Sequence, residues 1–434
     1  MKKLSYITLG AFLLFCRCGE KESAGDTVTI KFWHSFVAST MPALEELLDR
    51  FEAEHPQIKI KAQYIPTGDA LIQKLITAVQ SKTAPDISWI HADYLGNLVG
   101  ADAIYDLDHF IKGENGIPAA ELADIYPSLI QLASWRKTLY SMPMEATNLG
   151  LIYNKDHFRA AGLDAESPPQ NWQELHDTAL KLTFDKDGDG RFEQIGLFVP
   201  IYPSSGPLNA WMVWQWMPFL WQAGGYMINE EQTEVLFNSP AAIQATTLWK
   251  NLYDALDMRS FTTDYDISFA ANRISMAFDG PWNLPRFAEL LKDIDWAVAP
   301  LPAGPVKSAT VTGGEYLAIF KQSQHPNEAW AFIKWIIQPE IQAFWSMKSA
   351  YLPIRKKTLE IPEYQAYLQD HPHLRSYVEQ MEYSQAPRPF DFYMMESTLL
   401  LAEALERATL GRIDPATALN EAAQKASKLL QIGQ

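Results

Sequence analysis

The sequence predicts an α/β protein, and two observations carry that expectation. From Asp26 onward, short β-branched or alternating runs recur between amphipathic helical stretches. Strand–helix–strand order of that kind builds a largely parallel sheet. The chain is also 434 residues long, enough for about two domains, yet no repeat or low-complexity linker separates them. Two lobes without a linker imply a chain that crosses between them more than once.

The elements follow in order. "TVTIKFW" (27–33) is rich in β-branched residues and reads as a strand. "STMPALEELLDRFEAEHP" reads as a helix, with Ser39 or Thr40 as cap, Pro42 in the first turn, and Glu45 and Glu46 complementing the N-terminal dipole. Leu44, Leu47, Leu48 and Phe51 share its apolar face, and Pro56 ends it. "IKIKAQYI" (58–65) alternates as a second strand; a helix over 69–82 and the strand "PDISWI" (85–90) follow. The same grammar resumes at "NLGLIYN" (148–154), "QNWQELHDTALKLT" and "QIGLFV", then an aromatic helix, "LNAWMVWQWMPFLWQAGG" (208–225). "ISMAFD", "DWAVAPL" and "GGEYLAIF" (313–320) are further strands, and "HPNEAWAFIKWIIQPE" is a helix bounded by prolines. The last hundred residues read mainly as helix, with Asp414 capping "DPATALNEAAQKASKLL". In open α/β sheets ligands sit beyond the carboxyl ends of strands. Trp33–His34–Ser35 and His91–Ala92–Asp93 occupy such ends.

The N-terminus reads as an export signal over 1–17. Lys2 and Lys3 precede an apolar run, Leu4 to Phe15, too short to span a bilayer. Both cysteines, Cys16 and Cys18, stand at its end, and none follows. A lone cluster at the cleavage point suggests lipid attachment rather than a disulfide, although "LLFCRC" lacks the small residues of a strict lipobox. Ordinary cleavage or a short membrane anchor is the alternative. An acylated cysteine would hold the exported domain at a membrane surface through the polar tether "GEKESAGD". The formal charge is −16, which excludes nucleic acid as the natural partner. The unusual feature is 14 Trp, 18 Tyr and 21 Phe, some of which can serve as flat binding surfaces.

"ISMAFDGPWNLPRF" (274–287) poses this question sharply, because Gly280-Pro281 turns the chain and presents Trp282 directly after a strand. A tryptophan there can face a cleft or fold back onto the core, and the stretch alone leaves both open.

Ten stretches occur in order: "TIKFWHSF", "FEAEHPQIKI", "APDISWIHADYL", "LIYNKDHFRAAGL", "NWQEL", "WQAGG", "AFDGPWNLPRF", "GGEYLAIF", "HPNEAWAFIKWI" and "YLPIRKK". Together they resemble the family 1 extracellular solute-binding proteins of bacterial ABC importers, the group that contains the maltose-binding protein. The resemblance runs from about Thr27 to the C-terminal helix. It implies a two-lobed, type II periplasmic-binding-protein fold with a ligand cleft between the lobes. Lobe one would comprise 26–142 with 310–348, and lobe two 143–309 with 349–434. It also implies a monomer that captures a sugar or related polyol and delivers it to a membrane permease, with neither catalysis nor a required cofactor.

Sugar chemistry agrees. C–H patches of a pyranose pack on aromatic faces while its hydroxyls need directed donors and acceptors, and each unmatched buried polar group costs ~1–3 kcal/mol. Carried over by motif position, Trp282 is the stacking plate and Asp93 the carboxylate for hydroxyls. His34 and Ser35 follow the first strand, Glu145 or Asn148 precedes "YNK", Trp211 and Trp214 supply the far wall, and Glu315 follows the Gly-Gly turn. Tyr351 and Arg388 complete the set. Trp33, Trp89 and Tyr153 belong to the core by alternation.

"DKDGDGRFEQIG" (185–196) begins like a calcium loop, with Asp185, Asp187, Asp189 and Glu193 at positions one, three, five and nine. Its twelfth position is Gly196, where a bidentate glutamate is needed, so a plain Asp/Gly turn competes with calcium. His371 and His373 read as solvated. No phosphate loop, metal-ligand histidine pair or nucleophile elbow is present. A lipid-anchored glycosidase with an acid/base pair is the enzyme alternative, and glycerol-3-phosphate or its diesters the alternative ligand. A phosphate would want clustered Arg or Lys, and the ligand set contains only Arg388.

Overall fold

The computed structural model describes residues 27–66, 68–185, 187–189, 192–201, 208–231, 233–256, 258, 265–387 and 394–432. Cys16, Cys18 and Arg388 lie outside them.

Two sheets organise the chain. The first has five strands, in the spatial order Ile58–Tyr64, Val28–His34, Ile87–Ile90, Tyr316–Ile319, Met142–Pro143. Its first three strands are parallel, as the strand–helix–strand reading predicts. The strand Tyr316–Ile319 enters antiparallel to Ile87–Ile90 and to Met142–Pro143, because it returns from the other lobe instead of arriving through a crossover helix. The second sheet is Met276–Asp279, Gly150–Asn154, Trp296–Ala299, and both pairings are antiparallel. The first sheet is therefore mixed, with two of its four pairings parallel, and the largely parallel sheet expected from the sequence is confined to its first three strands. "QIGLFV" forms no regular strand. It reaches the second sheet only through single bridges, Ile195 to Ile274 and Phe198 to Ala277.

Helices cover both sheets. Met41–Glu54 buries Leu44, Leu47, Leu48 and Phe51 as its spacing predicts. Phe51 packs edge-on against Phe332 and Trp335 of the helix Pro326–Ile336. The helix begins differently from expectation. A 3-10 turn, Ala38–Thr40, precedes it and Thr40 makes no side-chain cap. Burial of Thr40 takes its hydroxyl away from the helix end, leaving Oγ1 without a partner among the described residues. Glu45 and Glu46 fall beyond the first turn. In lobe two the helix Pro372–Gln380 lies on the second sheet, where Ser376 Oγ donates to Val298 O at 2.9 Å and Tyr377 Oη to Asp279 O at 3.1 Å. His373 is not solvated: its ring stacks on Trp296 at 3.9 Å and 5°. His371 is exposed and stacks on Tyr367. Asp414 caps the last helix, Pro415–Ile432, by accepting from Thr417 N at 2.9 Å.

The chain crosses between the sheets after Pro143 and again before Tyr316. These crossings run side by side, with Met144 N donating to Glu315 O at 2.8 Å and Thr147 bridged to Gly313. Trp33, Trp89 and Tyr153 are buried, as alternation requires. Among the described residues no helix is long and apolar enough to cross a membrane.

Candidate functional site

A cavity of about 370 Å³ opens where the two sheets meet the crossing segments, within the ~300–1,000 Å³ range of small-molecule sites. Lobe one contributes Ser35 and Val37 beyond the first strand, and His91 to Tyr94 beyond Ile87–Ile90. This is the carboxyl-end position at which such sheets bind ligands. The crossings supply Thr147 and the run Thr312 to Tyr316, and Tyr351 closes one side.

Lobe two supplies a wall of three tryptophans. Trp211 and Trp214, one turn apart on the helix Leu208–Gln222, stack at 5.0 Å and 17°. Trp282 stands edge-on to Trp211 at 5.5 Å and tilted against Trp214 at 6.1 Å. The Gly-Pro turn thus presents Trp282 to the cavity, half-buried, and does not fold it into the core. Asp279 anchors that turn. It accepts from Gly280 N at 2.8 Å, Asn283 Nδ2 at 2.7 Å and the Tyr265 hydroxyl. Burial pushes its carboxyl up to about 6 despite those donors.

Opposite the wall, several buried polar atoms have no hydrogen-bond partner among the described residues: Trp89 Nε1, Thr312 Oγ1, Tyr316 Oη and Glu315 Oε2. All four residues line the cavity. Buried polar groups are rarely left unpaired, so this face is short of hydrogen-bond partners. No lysine or arginine occurs among the described lining residues.

Of the residues singled out in the sequence, Ser35, Asp93, Trp211, Trp214, Trp282, Glu315 and Tyr351 come together around the cavity. Three do not reach it. His34 is buried between Phe32, Phe36 and Tyr64, and burial lowers its imidazole to about 4. Asn148 is buried in the crossing, its Nδ2 donating to Tyr377 O at 2.8 Å. Glu145 stands behind Glu315, fully buried. Sequence reasoning missed Tyr94, Thr147, Thr312 and Tyr316, which carry no local signature. It placed Trp89 in the core, where it is, without seeing that it also floors the cavity.

Away from the cavity, carboxylate oxygens of Asp185, Asp187, Asp189 and Glu193 gather within 4.8 Å of one another at the surface, a set that could hold a divalent cation. Gly196 cannot be replaced by the missing ligand, since a Cβ there would lie 1.9 Å from Ala179 O.

Comparison with known proteins agrees with this architecture. Residues 46–374 match the family described as bacterial extracellular solute-binding protein. The chain is 26% identical over 447 residues to the sn-glycerol-3-phosphate-binding periplasmic protein UgpB of Escherichia coli (strain K12), spanning 99% of this chain and 98% of that one. Among solved structures, the cyclic alpha-maltosyl-1,6-maltose binding protein from Arthrobacter globiformis superposes with a TM-score of 0.81 at 26% identity, over 94% of this chain and 100% of that one. UgpB from Mycobacterium tuberculosis, in complex with glycerophosphocholine, shares the fold with a TM-score of 0.76 at 21% identity, over 93% and 98%.

Proposed function

The chain belongs to the bacterial extracellular solute-binding proteins, non-catalytic partners of ABC importers with the maltose-binding-protein-like fold, and on that premise we propose that its cleft captures a sugar or oligosaccharide and hands it to a membrane permease. The observation that carries this reading is the pairing of a three-tryptophan wall with a facing surface of unpartnered Trp89, Thr312, Tyr316 and Glu315 atoms. A pyranose needs both at once: flat faces for its C–H patches and directed partners for its hydroxyls. Lobe one would consist of 26–142 with 310–348, lobe two of 143–309 with 349–434, with Ser35, Asp93 and Glu315 on one side of the ligand and Trp211, Trp214 and Trp282 on the other.

Glycerol-3-phosphate or a diester of it is the second reading, favoured by the likeness to the Escherichia coli protein over almost the whole chain. A cavity whose described lining has no Lys or Arg offers a phosphate poor compensation, and sugar is preferred. The surface acidic loop would take calcium, the ion suited to an all-oxygen set, as a stabilising accessory away from the cleft. A thermal-shift screen over a sugar panel with glycerol-3-phosphate included tests the reading. A sugar should raise the melting temperature, and a response to glycerol-3-phosphate alone would replace the first reading by the second.

A further inference from the structure

We propose that Glu145 is a positioning residue of the cleft: it keeps its proton and donates it to Glu315, fixing the carboxylate that a ligand hydroxyl meets, and the cleft loses affinity when that proton leaves. The two side chains stem from crossing segments that run side by side. Met144 N donates to Glu315 O at 2.8 Å, and a Cβ on Gly314 would lie 2.3 Å from Glu145 O. Neighbouring positions on these segments bring the two carboxyls close, where like charges repel, and here both are buried.

The surroundings offer donors to one oxygen only. Trp345 Nε1 donates to Glu145 Oε2 at 2.5 Å, while Glu145 Oε1 and Glu315 Oε2 meet no donor among the described residues. The two carboxyls lie against each other, and they can hydrogen-bond only if one of them carries a proton. Glu145 is the one to hold it, since burial and the facing Glu315 push its carboxyl well above the usual carboxylate range. Tyr351 faces both carboxyls and Tyr316 faces Glu315, with Asp93 on the far side of Tyr316. None of these is a cation that would offset a second negative charge. Glu315 also lines the cavity. A protonated Glu145 behind it would hold it as an oriented acceptor; an ionised Glu145 would repel it and add a charge that lobe closure must bury.

The affinity half of this inference rests on the cleft being the ligand site, whereas the proton does not, and the experiment separates them. Infrared difference spectra of the ligand-free exported chain, wild type minus Glu145→Gln, are recorded at about pH 8, where Asp279, at about 6, is ionised. The carbonyl stretch of a protonated carboxylic acid should appear in the wild type and vanish with Glu145→Gln. In Glu315→Gln the stretch should persist to a lower pH than in wild type, because the facing charge is gone. Absence of the stretch in wild type, or its survival in Glu145→Gln, overturns the proposal. The sugar that responds in the thermal screen is then titrated against rising pH. Wild-type affinity should fall by up to ~tenfold per pH unit once Glu145 ionises. In Glu145→Gln, whose amide still donates to Glu315 and accepts from Trp345, it should stay flat. An equal fall in both proteins overturns the link to affinity. A panel with no responding sugar would count against the sugar reading while leaving the spectroscopic result to decide the proton.

Discussion

The indole of Trp282 lies directly over Gly280, so closely that a Cβ on the glycine would meet a ring carbon at 1.8 Å. Nothing in Gly280's backbone conformation demands a glycine, since its φ is −115°. The missing side chain makes room for the ring. Gly280→Ala should therefore push the indole off its seat against Trp211 and Trp214 and weaken sugar binding, with the fold kept. Trp282→Ala should cost ~1–3 kcal/mol of affinity through lost aromatic contact. Isothermal titration checks both, and near-normal affinity in both would remove Trp282 from the binding wall.

Asp279 holds the same turn from below, and its raised carboxyl has a definite pH signature. The folded-state value, about 6, lies above the ordinary aspartate value of 3.8. The folded protein therefore holds this proton more tightly than the unfolded chain. The resulting stability is complete below about 3.8 and is lost as pH rises through about 6, roughly 3 kcal/mol by the usual conversion. Chemical denaturation across that window should show the wild type losing stability relative to Asp279→Asn. Parallel profiles would assign the shift elsewhere.

Arg355 ties the segment after Leu352 to lobe one. It is 2% exposed, with Nε donating to Asp124 at 2.8 Å and Nη1 to Glu121 at 3.2 Å. Removing the cation strips the part-buried Asp124 of a charge-assisted hydrogen bond, at ~1.5–3 kcal/mol. Arg355→Met should lower the denaturation midpoint by a corresponding amount, and adding Asp124→Leu should recover part of it. No recovery in the double variant would mean that packing, not charge, dominates.

Lobe closure is the expected motion. A ligand whose hydroxyls are satisfied by both lobes binds the closed state better and shifts the population toward it. Small-angle scattering with a saturating, independently verified ligand should give a smaller radius of gyration. An unchanged profile would rule closure out.

At the N-terminus, export with acylation at Cys16 or Cys18 should leave a mature chain without Met1 and with a lipid-modified cysteine. Intact mass of the membrane fraction reads this directly, and a free thiol there would end the lipoprotein reading.

Local pattern was enough for much of the framework. β-Branched alternation marked the strands Val28–His34 and Ile58–Tyr64, helical spacing marked the buried face of Met41–Glu54, and Gly280-Pro281 marked the turn that carries Trp282. Those features depend on near neighbours in the chain, which a sequence displays. Facing direction at a strand end does not. Ser35 reaches the cavity and donates to Ile65 O at 2.6 Å, while His34 beside it turns into an aromatic cluster. Asn148 was captured by Tyr377, 229 residues away, and Glu145 by a facing carboxyl across paired crossing segments. Such contacts form only after the chain has crossed between its lobes. Burial then decides which polar side chains bond inward and which remain to meet a ligand, and that choice belongs to the tertiary structure.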